Sequence, residues 1–400
     1  MPRNVWIVTL TSFLTDVSSE MILNLLPLFL FNVLGVRTYA IGAIEGAAES
    51  SASLLKMFSG WLSDRLRARK RLAVLGYAVS TAAKPFLYAA TGWTGVLGVR
   101  LADRIGKGIR TAPRDALIAD SVNERQRGIA FGLHRAGDTA GAAVGIGIAL
   151  AVLLATRGGA TALTRGTFQT VVLVSMIPAV LAVLVLALGA RETRICGTSA
   201  PPRFSLVGFD RRFRMFLLVV VVFTLGNSSD AFLILRAQHA GLSVAGILGM
   251  MLTFNLVYAA VSSPVGALSD RLGRRGFLIG GWLLYAVVYF GFARATAGWQ
   301  TWALMAVYGV YYGATHGVAK AYVADLVPRE RRGTAYGVYN AAVGVTAFPA
   351  SLIAGLLWQG AGEWAGFGPG APFLFGAGLA VLATVMLVLF VGGRPSPSGR

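Results

Sequence analysis

Cysteine and charged residues are scarce in this chain of 400 residues. The only cysteine, Cys196, can form neither an internal disulfide nor a cysteine-based metal site. Charged residues make up 13% of the sequence and hydrophobic residues 56%, which argues against the two or three soluble domains that this length would suggest. The sequence has no H-E-x-x-H and no G-x-S-x-G, and its Gly-Lys-Gly at 106–108 lacks the spacing of a phosphate-binding loop. We therefore expect no enzymatic activity, no cofactor and no metal.

Long apolar runs are present instead. Runs close to the ~20 residues that cross a bilayer recur along the chain, for example at 171–190, 276–293 and 373–391. The sequence predicts an all-α membrane protein with twelve transmembrane helices. The first run stays as a span and is not a cleaved signal peptide, because it is too long and contains Asp16 and Glu20. The predicted spans are 5–35, 39–62, 72–92, 94–117, 127–155, 167–190, 213–238, 242–267, 276–294, 299–325, 332–358 and 371–393.

Acidic residues are outnumbered by basic ones, 17 to 36, which gives a formal net charge of +19. Such an excess is typical of nucleic-acid binding, but here the basic residues cluster in the short gaps after the even-numbered spans, as at 65–71 and 271–275. Basic loops of this kind lie on the cytoplasmic side of a membrane. We expect an inner-membrane protein with both termini in the cytoplasm and the lipid bilayer, not nucleic acid, as its partner.

The two halves of the chain are copies of each other. ADSVNERQRGIAFG from Ala119 aligns with ADLVPRERRGTAYG from Ala324, and GWLSDRL from Gly60 aligns with GALSDRL from Gly266, so the offset is 205 or 206 residues. A parallel repeat of six helices is expected of a two-lobed transporter whose site lies between the lobes near the midplane. The predicted division is an N-terminal lobe at 1–190, a cytoplasmic linker at 191–212 and a C-terminal lobe with a short tail at 213–400.

The paired loops carry a resemblance to a known family. GWLSDRLRARKR at 60–71 and GALSDRLGRR at 266–275 resemble the G-x-L-x-D-R-x-G-R-[RK] loop of the major facilitator superfamily, with Arg67 in place of the second glycine of the first copy. The resemblance extends over the whole chain. It implies the superfamily's fold of two pseudo-symmetric lobes, and a loop that latches the lobes together in one state; a purely topological role is the alternative. The gating residues it implies are Gly60, Asp64, Arg65, Gly266, Asp270 and Arg271.

A second resemblance points to proton-coupled antiporters of the same superfamily. Arg104, Lys107 and Gly108 resemble their R-x-x-Q-G pattern, with lysine where glutamine is usual. Around Asp138 the chain resembles their G-P-x-x-G motif, with aspartate in the place of proline. The resemblance implies proton-coupled antiport, and these two replacements are departures from it.

A charged stripe runs along one face of the fourth span. Its residues recur at helical spacing and would be costly against lipid, so we expect them to face water or other helices. The end of the stripe nearest the cytoplasm, which we call its lower end, contains Arg114 and Asp115, and both are predicted gate residues. The upper stripe consists of Arg100, Asp103, Arg104 and Lys107.

Carboxylates within the spans are candidates for carrying protons. Burial disfavours the charged form of a carboxylate and a nearby guanidinium favours it, so alternating exposure can drive proton exchange. We hypothesise that Asp16 or Glu20 carries the proton, with Arg104 as its competing partner. Asp103 and Asp138 are further candidates, although Asp138 and Arg135 at i, i+3 are also spaced for a local ion pair.

The offset of 205 places aromatic residues opposite the stripe. Arg100, Asp103, Arg104 and Lys107 then correspond to Met305, Tyr308, Gly309 and Tyr312, so one cavity wall would be cationic and the other aromatic. Such a cavity suits an amphipathic molecule; the alternative is that the tyrosines only pack. The predicted cavity residues are Arg100, Arg104, Lys107, Arg135, Asp230, Tyr308, Tyr312 and His316.

These patterns together predict a secondary transporter that works by alternating access. Proton-coupled efflux of a small amphipathic molecule or drug by a monomer is the first interpretation. Proton-coupled uptake or export of an organic anion is the alternative, favoured by the basic excess in the fourth span. A lipid scramblase and an embedded enzyme are the remaining classes.

Overall fold

The computed structural model describes residues 1–123, 126–156, 163–193, 208–328 and 331–391. These residues form twelve helical segments and contain no strand, which confirms the predicted all-α class and places each span within a few residues of its predicted bounds. Most of the predicted linker, residues 194–207, lies outside the described ranges. The helices of the N-terminal lobe are α1 (Arg3–Leu23, Leu26–Leu28 and a π-helical turn Phe29–Val33), α2 (Thr38–Leu66), α3 (Arg69–Ala83 and Pro85–Tyr88), α4 (Trp93–Asp120), α5 (Arg127–Ala155) and α6 (Arg165–Gly189). Those of the C-terminal lobe are α7 (Arg211–Gly226 and Ala231–His239), α8 (Val244–Leu272), α9 (Arg274–Arg294), α10 (Gly298–Leu326), α11 (Arg332–Gln359) and α12 (Ala371–Phe390).

Eight of the described segments are long and apolar enough to cross a membrane. The other four are α2, α3, α4 and α10. Three of these carry charges within the helix, such as Glu49, Arg104 and Lys320, and α3 is interrupted where Lys84 precedes Pro85, since proline removes a helical hydrogen bond.

The outer surface is apolar along whole helix faces. On α6, Leu173, Ile177, Leu181, Leu184 and Leu188 are all exposed, and their spacing of three and four residues puts them on one stripe. A continuous exposed apolar stripe is unfavourable in water and suits the hydrocarbon of a bilayer. The chain is thus a multi-pass membrane protein.

The lobes meet through small residues of α2 and α11. The Thr38 hydroxyl donates to the Gly355 carbonyl at 2.8 Å, and the Ser50 hydroxyl donates to the Gly344 carbonyl at 2.6 Å. A methyl group at Gly42 would clash with the Ser351 carbonyl oxygen, so only glycine allows the two backbones to approach this closely. The contact begins at the end of the bundle opposite the basic loops, and we call the end with those loops the basic end.

Candidate functional site

The upper stripe of α4 is paired with carboxylates of α2. Arg100 donates to both oxygens of Glu45, from Nε at 3.1 Å and from Nη2 at 2.5 Å. Four residues on, the Nη1 of Arg104 lies 3.8 Å from Glu49 Oε2. Asp103 lies within 4.0 Å of both arginines. The structure thus brings together three predicted site residues, Arg100, Asp103 and Arg104, and pairs both arginines with carboxylates of the same lobe.

Sequence reasoning did not assign Glu45 and Glu49 to the site, although a signal was available. Glu45 and Glu49 are separated by four residues, and so are Arg100 and Arg104. Two helices that pack side by side with the same spacing place two ion pairs one above the other. Glycine makes the close packing of α4 possible, since a methyl group at Gly106 would lie 2.5 Å from the Gly76 carbonyl oxygen of α3.

Lys107 differs from the arginines of its helix. Its side chain is exposed although it lies in the middle of α4, and no carboxylate of the described residues lies within 4 Å of it. It is within electrostatic range of Asp16 and Glu49. An exposed lysine at this depth indicates an aqueous space between the lobes.

The lower part of α4 binds to α1 and α3 of the same lobe. Arg110 donates to the Ser80 hydroxyl at 2.5 Å and lies over the Tyr77 ring at 4.6 Å. Arg114 donates to Ser12 at 3.1 Å and pairs with the neighbouring Asp115 at 2.8 Å. The predicted gate residues Arg114 and Asp115 are thus a pair in themselves, and their gating role stays a prediction.

The carboxylates of α1 lie beside this network without joining it. Glu20 accepts a hydrogen bond from Asn24 at 3.0 Å, and within the described residues neither Asp16 nor Glu20 has a basic group within 4 Å. Asp16 is within electrostatic range of Lys107 and Arg114, and Glu20 of Lys107, Arg104 and Arg100. The hypothesised competing partner Arg104 is therefore near Glu20, whereas Lys107 is near both carboxylates.

Two polar residues of α5 have separate partners. Asp138 lies 3.8 Å from His134 Nε2, one turn away on the same helix. Arg135 instead donates to the hydroxyl of Tyr258 on α8, in the other lobe. The local ion pair that their spacing allows is not formed, because Arg135 reaches across the interface.

A buried lysine of α3 was not among the predicted site residues. Lys84 donates to the hydroxyls of Ser18 at 2.5 Å and Ser19 at 3.3 Å, and it is 5% exposed. It lies where α3 is interrupted before Pro85, beside a small pocket that Asp103 and Arg100 also line. The sequence could have singled out Lys84, because the proline that follows it predicts an interruption of the helix at this lysine.

The aromatic wall is partly packed and partly open. Tyr308 is 1% exposed and its hydroxyl lies 3.4 Å from Asp230 Oδ1, at the break in α7. Its ring packs among Tyr285, Tyr289 and Tyr311, so it packs as the alternative interpretation expects. Tyr312 and His316 lie nearer the open space, with stacked rings 5.1 Å apart.

Comparison with known proteins identifies the family. The sequence model of the Major Facilitator Superfamily matches residues 8–251 and 215–400. The chain belongs to the major facilitator superfamily. Members of this superfamily are transporters, which confirms the expected fold and the expectation that the chain is not an enzyme.

Three relatives illustrate the range of similarity. An uncharacterized MFS-type transporter of Methanocaldococcus jannaschii is 34% identical over 97% of this chain and 95% of its own. The class C tetracycline resistance protein of Escherichia coli is 35% identical over 29% of each chain. The crystal structure of the nucleoside transporter NupG superimposes with a TM-score of 0.77 at 13% identity, covering 98% of this chain and 100% of the other, which shows the shared fold.

The first superfamily loop is tied to the end of α4. Arg69 donates to Asp64 at 3.1 Å, forms an ion pair with Asp120, and donates to the Ala116 carbonyl at 3.3 Å. Arg65 lies over the Trp61 ring at 5.3 Å. These contacts lie within the N-terminal lobe, so the latch between lobes that the superfamily motif implies stays a prediction.

The second superfamily loop repeats the arrangement in the C-terminal lobe. Arg274 pairs with Asp325 at 2.6 Å and donates to the Ala321 carbonyl at 3.0 Å. These three residues are each 205 positions after Arg69, Asp120 and Ala116. The Ser63 and Ser269 hydroxyls donate to the carbonyls of Gly60 and Gly266, each at 2.8 Å. Asp270 and Arg271 lie in the last turn of α8, and the Asp270 side chain is outside the described part of the structure.

Proposed function

We propose that this superfamily member is a proton-coupled transporter that exports a small amphipathic molecule by alternating access. The proposed setting is the inner membrane, with the basic end and both termini in the cytoplasm, and the proposed working unit is a monomer. The observation that carries the proposal is the position of Asp16 and Glu20. Carboxylates at membrane depth beside a charged network, with no basic group within 4 Å in the described residues, are costly unless they serve transport.

The proposed coupling relies on the difference between fixed and free cations on α4. Arg100 and Arg104 are held by Glu45 and Glu49, whereas Lys107 is exposed and within electrostatic range of Asp16 and Glu20. When Lys107 approaches a carboxylate, the charged form is favoured and a proton is released; when it withdraws, protonation is favoured. A rearrangement of the lobes that moves Lys107 would therefore couple proton transfer to exposure of the cavity.

Similarity to resistance proteins supports export as the direction. Besides the tetracycline resistance protein, the multidrug resistance protein MdtG of Serratia proteamaculans is 31% identical over 37% of this chain. The basic excess of α4 favours transport of an organic anion at the level of sequence, but the arginines of its upper stripe are balanced by Glu45 and Glu49. An anionic solute would therefore have to be bound by cations other than these two arginines.

Proteoliposomes that contain a pH-sensitive dye test the coupling. With an imposed pH gradient, addition of ethidium, tetracycline or 1-naphthoate to the parent protein should move protons, and at least one probe should accumulate against its gradient. Asp16→Asn, Glu20→Gln and the double variant should lose gradient-driven accumulation but keep gradient-independent exchange of the probe. Glu363→Gln, in the exposed loop after α11, is the matched control and should behave as the parent.

The same vesicles separate the competing functions. Gradient coupling that is undiminished in both single variants and in the double variant would eliminate the assignment of the proton to Asp16 or Glu20. Equilibration of labelled lipid without any gradient dependence would indicate a scramblase instead.

A further inference from the structure

Three cations lie inside the bundle near its basic end. Lys56 is ten residues before the end of α2, Arg135 is eight after the start of α5, and Lys320 is six before the end of α10. At a rise of about 1.5 Å per residue they lie roughly 9–15 Å from the helix ends. Lys320 is within electrostatic range of both Lys56 and Arg135, which belong to the other lobe. The three side chains therefore face a common space between the lobes.

These cations lack the counter-ions that the arginines of α4 have. Among the described residues, no carboxylate lies within 4 Å of Lys56, Arg135 or Lys320. Asp115 is an acid in electrostatic range of Lys320, but it is already paired with Arg114 at 2.8 Å. Topogenic charges lie in the loops between spans, so topology does not account for cations at this depth. The excess positive charge favours binding of an anion from solution.

Aromatic rings adjoin Arg135, and His316 is within electrostatic range of all three cations. The Arg135 guanidinium lies over the Tyr258 ring at 5.4 Å, and the Tyr258 and Tyr312 rings meet edge to face at 5.2 Å. His316 stacks on Tyr312 at 5.1 Å with an interplanar angle of 10°. A flat ring of a bound molecule can pack against such a surface while its charged group lies near the cations.

We propose that Lys56, Arg135, Lys320 and the rings of Tyr258, Tyr312 and His316 form a vestibule cluster that binds the transported solute, and that this solute is an anion with an apolar ring. The proposal rests on the proposed function only for the direction of transport. Anion recognition is thereby assigned to the vestibule cluster and not to the stripe of α4. The ion pairs of α4 remain available for coupling.

Equilibrium binding to the purified full-length protein tests the proposal without a gradient. The probes share one ring and differ in charge: 1-naphthoate, the neutral 1-naphthamide and the cation 1-naphthylmethylammonium. The carboxylate should bind more tightly than the amide, the amide more tightly than the cation, and the preference should weaken in high salt. Arg135→Gln, Lys56→Gln and Lys320→Gln should each weaken binding of 1-naphthoate about two- to fivefold, as expected of solvated ion pairs, and the triple variant should lose the preference for the carboxylate.

Matched variants distinguish charge from folding. Arg135→Lys should retain more affinity than Arg135→Gln. Arg294→Gln should bind as the parent does, because Arg294 lies at the end of α9 that is far from the basic end. Equal binding of the three probes, an unchanged affinity in the triple variant, or no binding of 1-naphthoate at about 1 mM would overturn the proposal. Charge-selective binding without proton-driven flux would contradict the proposed function alone, and proton-driven flux confined to ethidium would contradict the vestibule cluster alone.

Discussion

At positions related by the repeat, the N-terminal lobe carries ion pairs and the C-terminal lobe carries packed apolar side chains. Glu45 and Arg100 correspond to Met250 and Met305, which are completely buried. One turn further along each helix, Phe254 and Tyr308 stack at 5.6 Å between ring centroids. They occupy the places of Glu49 and Asp103.

The comparison separates what the fold needs from what transport needs. The C-terminal lobe builds the same pair of helices, α8 and α10, with an apolar contact, so the ion pair is dispensable for packing. Buried ion pairs seldom add stability over apolar residues of similar volume. We therefore infer that the charges of the N-terminal lobe serve coupling, while the C-terminal lobe supplies a packed aromatic wall.

The largest expected effect comes from transferring the apolar pair into the N-terminal lobe. Glu45→Met alone leaves Arg100 buried without its bidentate partner and should lower the free energy of unfolding by about 3 kcal/mol. The double variant Glu45→Met/Arg100→Met copies the other lobe and should recover most of this loss. It should nevertheless lose proton-driven flux. Thermal unfolding in detergent, followed by tryptophan fluorescence, measures the stability.

The control for this exchange is Met305→Leu, which keeps the apolar contact of the C-terminal lobe and should cost less than about 1.5 kcal/mol. Two results would contradict the comparison. One is a double variant as unstable as Glu45→Met alone. The other is a stable double variant with full coupled flux, which would mean that the ion pair serves neither stability nor transport.

A smaller difference is expected between the two superfamily loops. Arg69 is 12% exposed and its partner Asp120 is 28% exposed, whereas Arg274 is 25% exposed and its partner Asp325 is 48% exposed. Arg69→Ala should therefore cost about 2 kcal/mol and Arg274→Ala about 1 kcal/mol, since ion pairs weaken with exposure. The same unfolding measurement checks this order, and equal losses would show that the two loops are equivalent in stability despite their different burial.

The sequence was sufficient to predict the architecture because each apolar run or basic loop can be recognised from its own residues, without knowledge of the rest of the fold. The twelve helices and the paired loops follow from such local patterns. Partners across helices did not follow, since spacing determines the face of a helix but not which neighbour packs against it. Arg135 shows this: its spacing suggested Asp138, whereas the packing of α5 on α8 brings it to Tyr258. The four-residue spacing of Glu45 and Glu49 matches that of Arg100 and Arg104, but the spacing alone does not show that α2 packs on α4.

The smallest effect concerns the end of α2. Arg67 has φ 49° and is the only residue other than glycine with positive φ in the described ranges, while its counterpart Gly273 has φ 100°. A side chain is unfavourable in the left-handed region and glycine is not. Arg67→Gly should therefore raise the free energy of unfolding by about 0.5 kcal/mol, because relief of strain exceeds the added entropy of the unfolded chain.

Replacing the glycine of the second loop tests whether the change in the free energy of unfolding has the expected sign. Gly273→Ala adds a side chain at a backbone conformation that non-glycine residues rarely adopt, so it should lower the free energy of unfolding by about 1–2 kcal/mol. Both helices end with a residue of positive φ, but ψ is 40° at Arg67 and 124° at Gly273, so each variant is compared with its own parent loop. A destabilising Arg67→Gly would mean that the Arg67 side chain, and not its backbone conformation, sets the contribution of the first loop.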